Sequence, residues 1–174
     1  MGRRPKPKRI AYELIEPESE PVMYHLMHDL IALHHQHLRH AKIALAWCYG
    51  WKPDSDGRVT LGQCRKATDL DRELMVYDVV ILLSRTFWTN EAVSGAQRKA
   101  LLDHELCHAE VRLNKYGEPV EDERGRKVYR IRKHDIEEFS EIVERHGCYK
   151  HDLEEFASAL RRAPQGVLPI GEPA

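Results

Sequence analysis

The chain has 174 residues, enough for one domain with a hydrophobic core and short tails. Its formal net charge of −1, with 42% hydrophobic and 32% charged residues, gives no reason to expect a nucleic-acid-binding protein from the charge as a whole. No apolar run approaches the ~20 residues that a transmembrane helix requires, and no apolar stretch follows the basic N-terminus as a secretory signal would require. We therefore expect a cytoplasmic protein without a membrane segment.

The two ends of the chain have the composition of tails. Residues 1–11 are basic and interrupted by prolines, and residues 163–174 contain three prolines and no apolar periodicity. We expect both to be flexible, with residues 12–162 forming one domain between them. The basic N-terminal tail is also a candidate for weak contact with nucleic acid, although a solvated tail is the commoner meaning of such a run.

The first half of the chain has the patterns of a helix followed by strands. Apolar residues recur at helical steps from Ser19 to His37, which predicts a helix. The segment from Ala41 to Trp47 alternates as a strand does, and turn formers at 52–57 followed by extended character at 59–61 indicate a hairpin. The continuously apolar segment from Val76 to Leu83 predicts a central strand that is covered on both faces.

The second half is predicted to be mostly helical. One helix begins at Ala92 or Gly95 and runs to about Asn114, where glycine and proline follow. Residues 128–131 are predicted to be a short strand. Two more helices are predicted, at Asp135–Arg145 and Asp152–Arg162. The order of one helix, several strands and then helices is typical of the α+β class.

The motif His104-Glu105-x-x-His108 lies in the long helix of this half. Residues i and i+4 of a helix lie one above the other, so both imidazoles can bind one ion. Zn²⁺ suits this chemistry, because three protein ligands leave a fourth position for a water whose pKa falls toward ~7. Glu105, beside that face, is predicted to be the general base that accepts a proton from the water and delivers it to the leaving amine. The opposite face of the helix carries an apolar stripe of Leu102, Leu106, Ala109 and Leu113.

A third ligand must come from outside this helix. The segment His134–Phe139 reads His-Asp-apolar-Glu-Glu-Phe, and His151–Phe156 repeats it. In both copies the aspartate and the second glutamate have the spacing of a helix cap, which leaves the histidines unexplained. We predict His134 as the third ligand because it follows the motif helix after one loop. Glu138 and His151 are the alternatives.

Histidines and cysteines elsewhere are predicted to have structural or surface roles. Six histidines crowd the first predicted helix and its exit: His25, His28, His34, His35, His37 and His40. They are predicted to be surface residues, because no cysteine or paired acidic residue near them in the sequence completes a metal site. The four cysteines form no CxxC pair and are predicted to be buried reduced thiols: Cys48, Cys64, Cys107 and Cys148.

The segment Leu101–Glu110, with Arg132–Asp135 and the predicted helix from Glu138 to Gly147, resembles the phage metallopeptidases, zincin-like proteins related to the SprT-like group. The resemblance covers residues 20–150. It implies a minimal zincin-like domain in which a small sheet packs against the HExxH helix with flanking helices. It implies a location in the host cytoplasm if a phage encodes the chain. The site residues that it implies are a catalytic base and three zinc ligands: Glu105, His104, His108 and His134.

The favoured function is a zinc-dependent endopeptidase that binds an extended peptide or protein segment along a strand edge beside the helix. One alternative is a zinc-binding interaction or nucleic-acid-associated module with little or no proteolytic turnover. Another is a zinc hydrolase that cleaves a different bond, since three histidines also serve amide or phosphodiester cleavage. The sequence predicts no particular oligomeric state.

Overall fold

A computed structural model describes residues 11–136, 140–148 and 151–164. The chain divides into two compact units, Met1–Arg132 and Lys133–Ala174. Apart from residues 11, 163 and 164, the two predicted tails lie outside the described residues. Within the described ranges, no helix is long and apolar enough to cross a membrane.

The first unit is built on a four-stranded sheet. Its strands are β1 (Ala11–Leu14), β2 (Ile43–Tyr49), β3 (Gly62–Lys66) and β4 (Val79–Ser84). Their order across the sheet is β1-β2-β4-β3, with β2 and β4 parallel and both outer pairs antiparallel. The central position of β4, buried at five of its six residues, confirms the predicted covered strand. A mixed sheet with separate helices confirms the α+β class.

The predicted hairpin after β2 is wrong, because β4 lies between β2 and β3. Six of the seven residues of β2 are buried, so this strand occupies the interior of the sheet and pairs with β1 and β4. The turn-forming segment at 52–57, which suggested a hairpin, is instead held by hydrogen bonds within the segment and its next residue. The carboxylate of Asp54 accepts hydrogen bonds from the backbone N–H groups of Asp56 and Arg58, at 2.9 and 2.8 Å.

The described residues of the first unit also contain four α-helices and a two-stranded ribbon. The helices are α1 (Pro21–His34), α2 (Asp69–Leu74), α3 (Arg85–Thr89) and α4 (Gly95–His108), and a 3₁₀ helix spans Gln36–Leu38. The ribbon strands are β5 (Ala109–Val111) and β6 (Tyr129–Ile131). The predicted first helix and the short strand at 128–131 are confirmed, whereas β1, α2 and α3 were not predicted. The extended segment predicted at 59–61 is not a strand, because β3 begins after it, at Gly62.

The motif helix α4 starts where the sequence predicts and ends earlier. Ser94 and Gln97 form a capping box, in which each side chain accepts from the backbone N–H of the other residue. The predicted end near Asn114 is wrong, because the chain turns into β5 directly after His108 and pairs with β6. Of the predicted apolar stripe, Leu102, Leu106 and Ala109 are buried, whereas Leu113, beyond β5, is exposed.

The core lies between the sheet and the paired helices α1 and α4. Leu30 of α1, Leu102 and Leu106 of α4, Leu45 of β2 and Ile81 of β4 are completely buried in it. Burying one such side chain contributes about 1.5–3 kcal/mol. Because Leu102 and Leu106 fix one face of α4 in the core, the residues on other faces are directed away from it.

The second unit contains the helices α5 (Ser140–His146) and α6 (His151–Arg162). They correspond to the two predicted C-terminal helices, and the predicted start of the first lies partly at residues 137–139, outside the described residues. Asp152 was predicted to cap α6, but it is the second residue of that helix. Its carboxylate accepts a hydrogen bond from the backbone N–H of Leu153 at 2.9 Å.

Candidate metal centre

His104 and His108 lie in the last turns of α4, and their rings converge. Their Nε2 atoms are 3.3 Å apart, and the ring planes are nearly perpendicular with centroids 4.9 Å apart. The convergence follows from the i, i+4 spacing, which places one residue above the other on a helix. The two imidazoles therefore present two nitrogen donors to one point.

The separation of these two nitrogens can be compared with the dimensions of a zinc site. Zinc–nitrogen bonds of 2.0–2.1 Å in a tetrahedron place two ligand nitrogens about 3.3–3.4 Å apart. The distance between Nε2 of His104 and Nε2 of His108 is 3.3 Å. The separation of the pair therefore matches the distance between two corners of a zinc tetrahedron.

The outer nitrogen of His108 is held by the backbone. Its Nδ1 lies 2.7 Å from the carbonyl oxygen of Arg132, which can only accept, so Nδ1 carries the hydrogen and Nε2 keeps its lone pair. The same backbone unit makes a second bond, from the N–H of Arg132 to the carbonyl oxygen of His108 at 2.8 Å. The ribbon thus holds both the end of α4 and the tautomer that metal binding requires.

Glu105 lies between α4 and the edge strand β3. Its side chain is only 3% exposed, and its carboxylate accepts a hydrogen bond from the backbone N–H of Cys64. It also lies directly over Gly62, where a Cβ atom would be 2.3 Å from Oε1 of Glu105. Glycine at position 62 therefore makes the room that this carboxylate occupies.

The surroundings of Glu105 change its acidity. Burial raises the pKa of this carboxyl to about 7, although the electrostatic interaction with His108 and the hydrogen bond from Cys64 act in the opposite direction. Burial, with the nearby charge of Glu105, also raises the pKa of the Cys64 thiol to about 12. A carboxyl group that titrates near neutral pH can both accept and return a proton, which is the property a general base needs.

The residues considered as third ligand lie in the second unit. His134 is exposed, in the segment 132–136 without regular secondary structure, and its role as ligand stays a prediction. Glu138 lies outside the described residues. His151 is the exposed first residue of α6, with Nε2 3.5 Å from the carboxylate of Glu155 one turn later.

Two predictions about histidine and cysteine burial need correction. Of the six histidines predicted at the surface, five are exposed and His35 is buried. Cys107 and Cys148 are exposed, whereas Cys48 and Cys64 are buried as predicted. Cys107 is exposed because Leu102 and Leu106 occupy the buried face of α4 and direct it elsewhere. His35 and Cys107 also lie close together in the fold, which the sequence did not predict because 72 residues separate them.

A helix that brings two imidazole nitrogens to one point beside a buried glutamate has the arrangement of the metal-dependent HExxH hydrolases. A protein-family model described as "Putative phage metallopeptidase" matches residues 15–161. The chain belongs to this family, as the resemblance at Leu101–Glu110 predicts. No curated protein and no solved structure matches the chain.

Proposed function

We propose that the protein is a zinc-dependent endopeptidase with residues 12–162 as its catalytic domain. The observation that carries the proposal is the 3.3 Å separation of the Nε2 atoms of His104 and His108, which equals the edge of a zinc tetrahedron. The family match over residues 15–161 supports both the reaction class and the extent of the domain.

In this proposal His104, His108 and His134 hold the ion, and Glu105 is the general base. The zinc ion supplies a Lewis acid that polarises a peptide carbonyl and lowers the pKa of a water molecule. Glu105 accepts a proton from the attacking water and delivers it to the nitrogen of the leaving amine. Burial raises the pKa of this carboxyl in the metal-free protein, and the charge of a bound ion would lower it toward the ionised form that accepts a proton.

The substrate is proposed to be an extended peptide that pairs with β3. In the described part of the chain, β3 is the last strand of the sheet and has β4 as its one strand partner. Its backbone begins at Gly62, in contact distance of Glu105, and the side chains of Gln63 and Arg65 are exposed. A peptide added to this edge gains main-chain hydrogen bonds and passes close to the base. Such binding selects segments that are unfolded or flexible.

Glu105→Gln tests the assignment of the base. The variant keeps the shape of the side chain and removes its capacity to accept the proton, so we expect unchanged zinc content and a loss of 10²–10⁴-fold in kcat on an unfolded protein substrate. Glu91→Gln, at an exposed position, is the matched control and should behave like the wild type. Equal turnover by Glu105→Gln and Glu91→Gln would contradict the proposal.

His134→Ala tests the third ligand separately. Loss of one of three protein ligands should lower the zinc content after dialysis against a weak chelator, measured by mass spectrometry of the metal. His146→Ala, at an exposed position near the end of α5, is the control. Zinc retention by His134→Ala equal to that of the control would remove His134 from the site while leaving His104 and His108 untouched.

A further inference from the structure

A second group of metal-binding side chains lies on a neighbouring face of α4. It consists of His35, which follows α1, together with Asp103 and Cys107 of α4. One donor atom from each residue lies within 4.8 Å of the donors of the other two. Nε2 of His35 is 2.7 Å from Oδ1 of Asp103. The group joins two helices that are distant in sequence.

Helix α4 thus carries two interleaved i, i+4 pairs. His104 and His108 form one, and Asp103 and Cys107 form the other, displaced by a single residue. A displacement of one residue is a rotation of about 100° around a helix. The two pairs therefore face different directions, and an ion held by the second pair would be separate from an ion held by the first.

The donor types favour a borderline or soft transition metal. A thiolate with an imidazole and a carboxylate is a combination that binds Zn²⁺, whereas Mg²⁺ and Ca²⁺ prefer oxygen donors. Zinc bonds of 2.0–2.3 Å to these atoms place the donors about 3.3–3.6 Å apart. The three donors lie within 4.8 Å of one another, and the 2.7 Å contact between His35 and Asp103 must lengthen when an ion enters between them.

Burial and access at this group suit a metal site as well. His35 is 5% exposed, so its ring position is fixed by the packing around it. Asp103 is partly exposed and Cys107 is exposed, which leaves a path for an ion. His34 and His37 line the same cavity of about 350 Å³ together with His35 and Cys107, so the approach is rich in imidazole.

We propose that His35, Asp103 and Cys107 form a second Zn²⁺ site, distinct from the His104–His108 centre. This site ties the chain after α1 to the C-terminal half of α4, next to the motif that carries the proposed chemistry. Its occupancy does not depend on the proposed peptidase function, because it uses none of the residues assigned to that function.

The test is a titration of the metal-free full chain with Co²⁺, followed by absorption spectroscopy. A thiolate bound to Co²⁺ gives a charge-transfer band in the near ultraviolet that nitrogen and oxygen ligands do not give. We expect this band in the wild type and its loss in Cys107→Ser. Cys107 is exposed, so this substitution should leave the fold intact. Cys148→Ser, the other exposed cysteine, is the matched control and should keep the band.

A double variant, His104→Ala with His108→Ala, separates the two centres. It should keep the thiolate band and bind one equivalent of Co²⁺. Cys107→Ser should bind Co²⁺ at the His104–His108 centre without the band. Absence of the band in the wild type at saturating Co²⁺, or its persistence in Cys107→Ser, would overturn the proposal. Loss of the band in the double histidine variant would also overturn it, because Cys107 would then share the first centre.

Discussion

The substitution Gly62→Ala should displace the proposed base, Glu105, without replacing that residue. The backbone of Gly62 lies against the carboxylate of Glu105, and a Cβ atom there would be 2.3 Å from Oε1 and 2.7 Å from Cδ. Ordinary contact begins at 3.4 Å, so the carboxylate must retreat by about 1 Å. A displacement of about 1 Å in a catalytic group can cost on the order of 100-fold in rate. We therefore expect kcat to fall by about that factor.

The fold should survive this change. The atoms that collide with the new methyl group belong to the end of one side chain, and overpacking of this kind costs about 1–3 kcal/mol of unfolding free energy. The three atoms nearest to the new methyl group all belong to Glu105 and none to His104 or His108, so zinc content should stay at the wild-type value. Activity and metal binding are thus expected to separate.

The assay compares kcat on an unfolded protein substrate with zinc content and with the midpoint of urea denaturation. Gly95→Ala is the matched control, because a Cβ atom at Gly95 meets no atom within 4 Å. It should leave all three quantities near the wild-type values. If Gly62→Ala keeps full activity, or loses activity only in proportion to lost zinc, the placement of Glu105 as base is refuted.

Three further predictions concern acidity and buried charge. In the metal-free protein, the pKa of the Glu105 carboxyl is about 7 in the folded chain and 4.5 in the unfolded chain. The folded state therefore holds its proton over a pH range in which the unfolded state has lost it, and the unfolding free energy should fall by roughly 3 kcal/mol as the pH rises from 4.5 to 7. Denaturation at several pH values should show this loss in the wild type and not in Glu105→Gln. Because burial raises the pKa of Cys64 to about 12, iodoacetamide at pH 8 should label Cys107 and Cys148 in the native protein and spare Cys64, as peptide mass spectrometry would show. Arg72→Met should lower the unfolding free energy by about 1–3 kcal/mol, measured by urea denaturation, because the buried guanidinium of Arg72 bridges the partly exposed carboxylates of Asp78 and Asp122.

The controls for these predictions follow from the same contacts. The guanidinium of Arg72 is 7% exposed and lies 2.7 Å from Asp78 and 3.2 Å from Asp122, so both carboxylates lose a partner in Arg72→Met. Arg58→Met, at an exposed position, should change stability by less than about 0.5 kcal/mol. A pH profile of stability that is the same in wild type and Glu105→Gln would contradict the burial argument. Labelling of Cys64 by iodoacetamide at the rate of Cys107 would contradict the burial of Cys64.

The sequence predicts those parts of the site that arise within one helix. The spacing of His104 and His108 determines their convergence, and the capping residue Ser94 marks where α4 begins. The end of α4 was not predictable in the same way, because it depends on pairing between β5 and β6 across a long loop. Helical periodicity continues through Leu113, and nothing local in the sequence signals that strand pairing prevails there.

The contacts that a one-dimensional pattern could not predict are those between distant segments. The approach of Gly62 to Glu105 and the pairing of His35 with Asp103 each join residues more than forty positions apart. The order of the sheet strands was missed for the same reason, since a turn-rich segment suggests a hairpin whether or not another strand enters between its arms. Long-range register is set by the burial of whole faces rather than by the residues in the turn.

The ribbon that holds His108 also offers a place for added sequence. The connection between its two strands contains a turn closed by its own short-range bonds, in which the side-chain oxygen of Asn114 accepts from the backbone of Tyr116 and Glu118, and Gly117 takes a positive φ of 81°. Tyr116 in this turn is 73% exposed. Lengthening an exposed loop costs little, because closure entropy grows only slowly with loop length. An epitope or a surface-attachment tag spliced in at this turn would leave the bonds from Arg132 to the motif helix in place, so the protein can be tethered through the element that supports its centre.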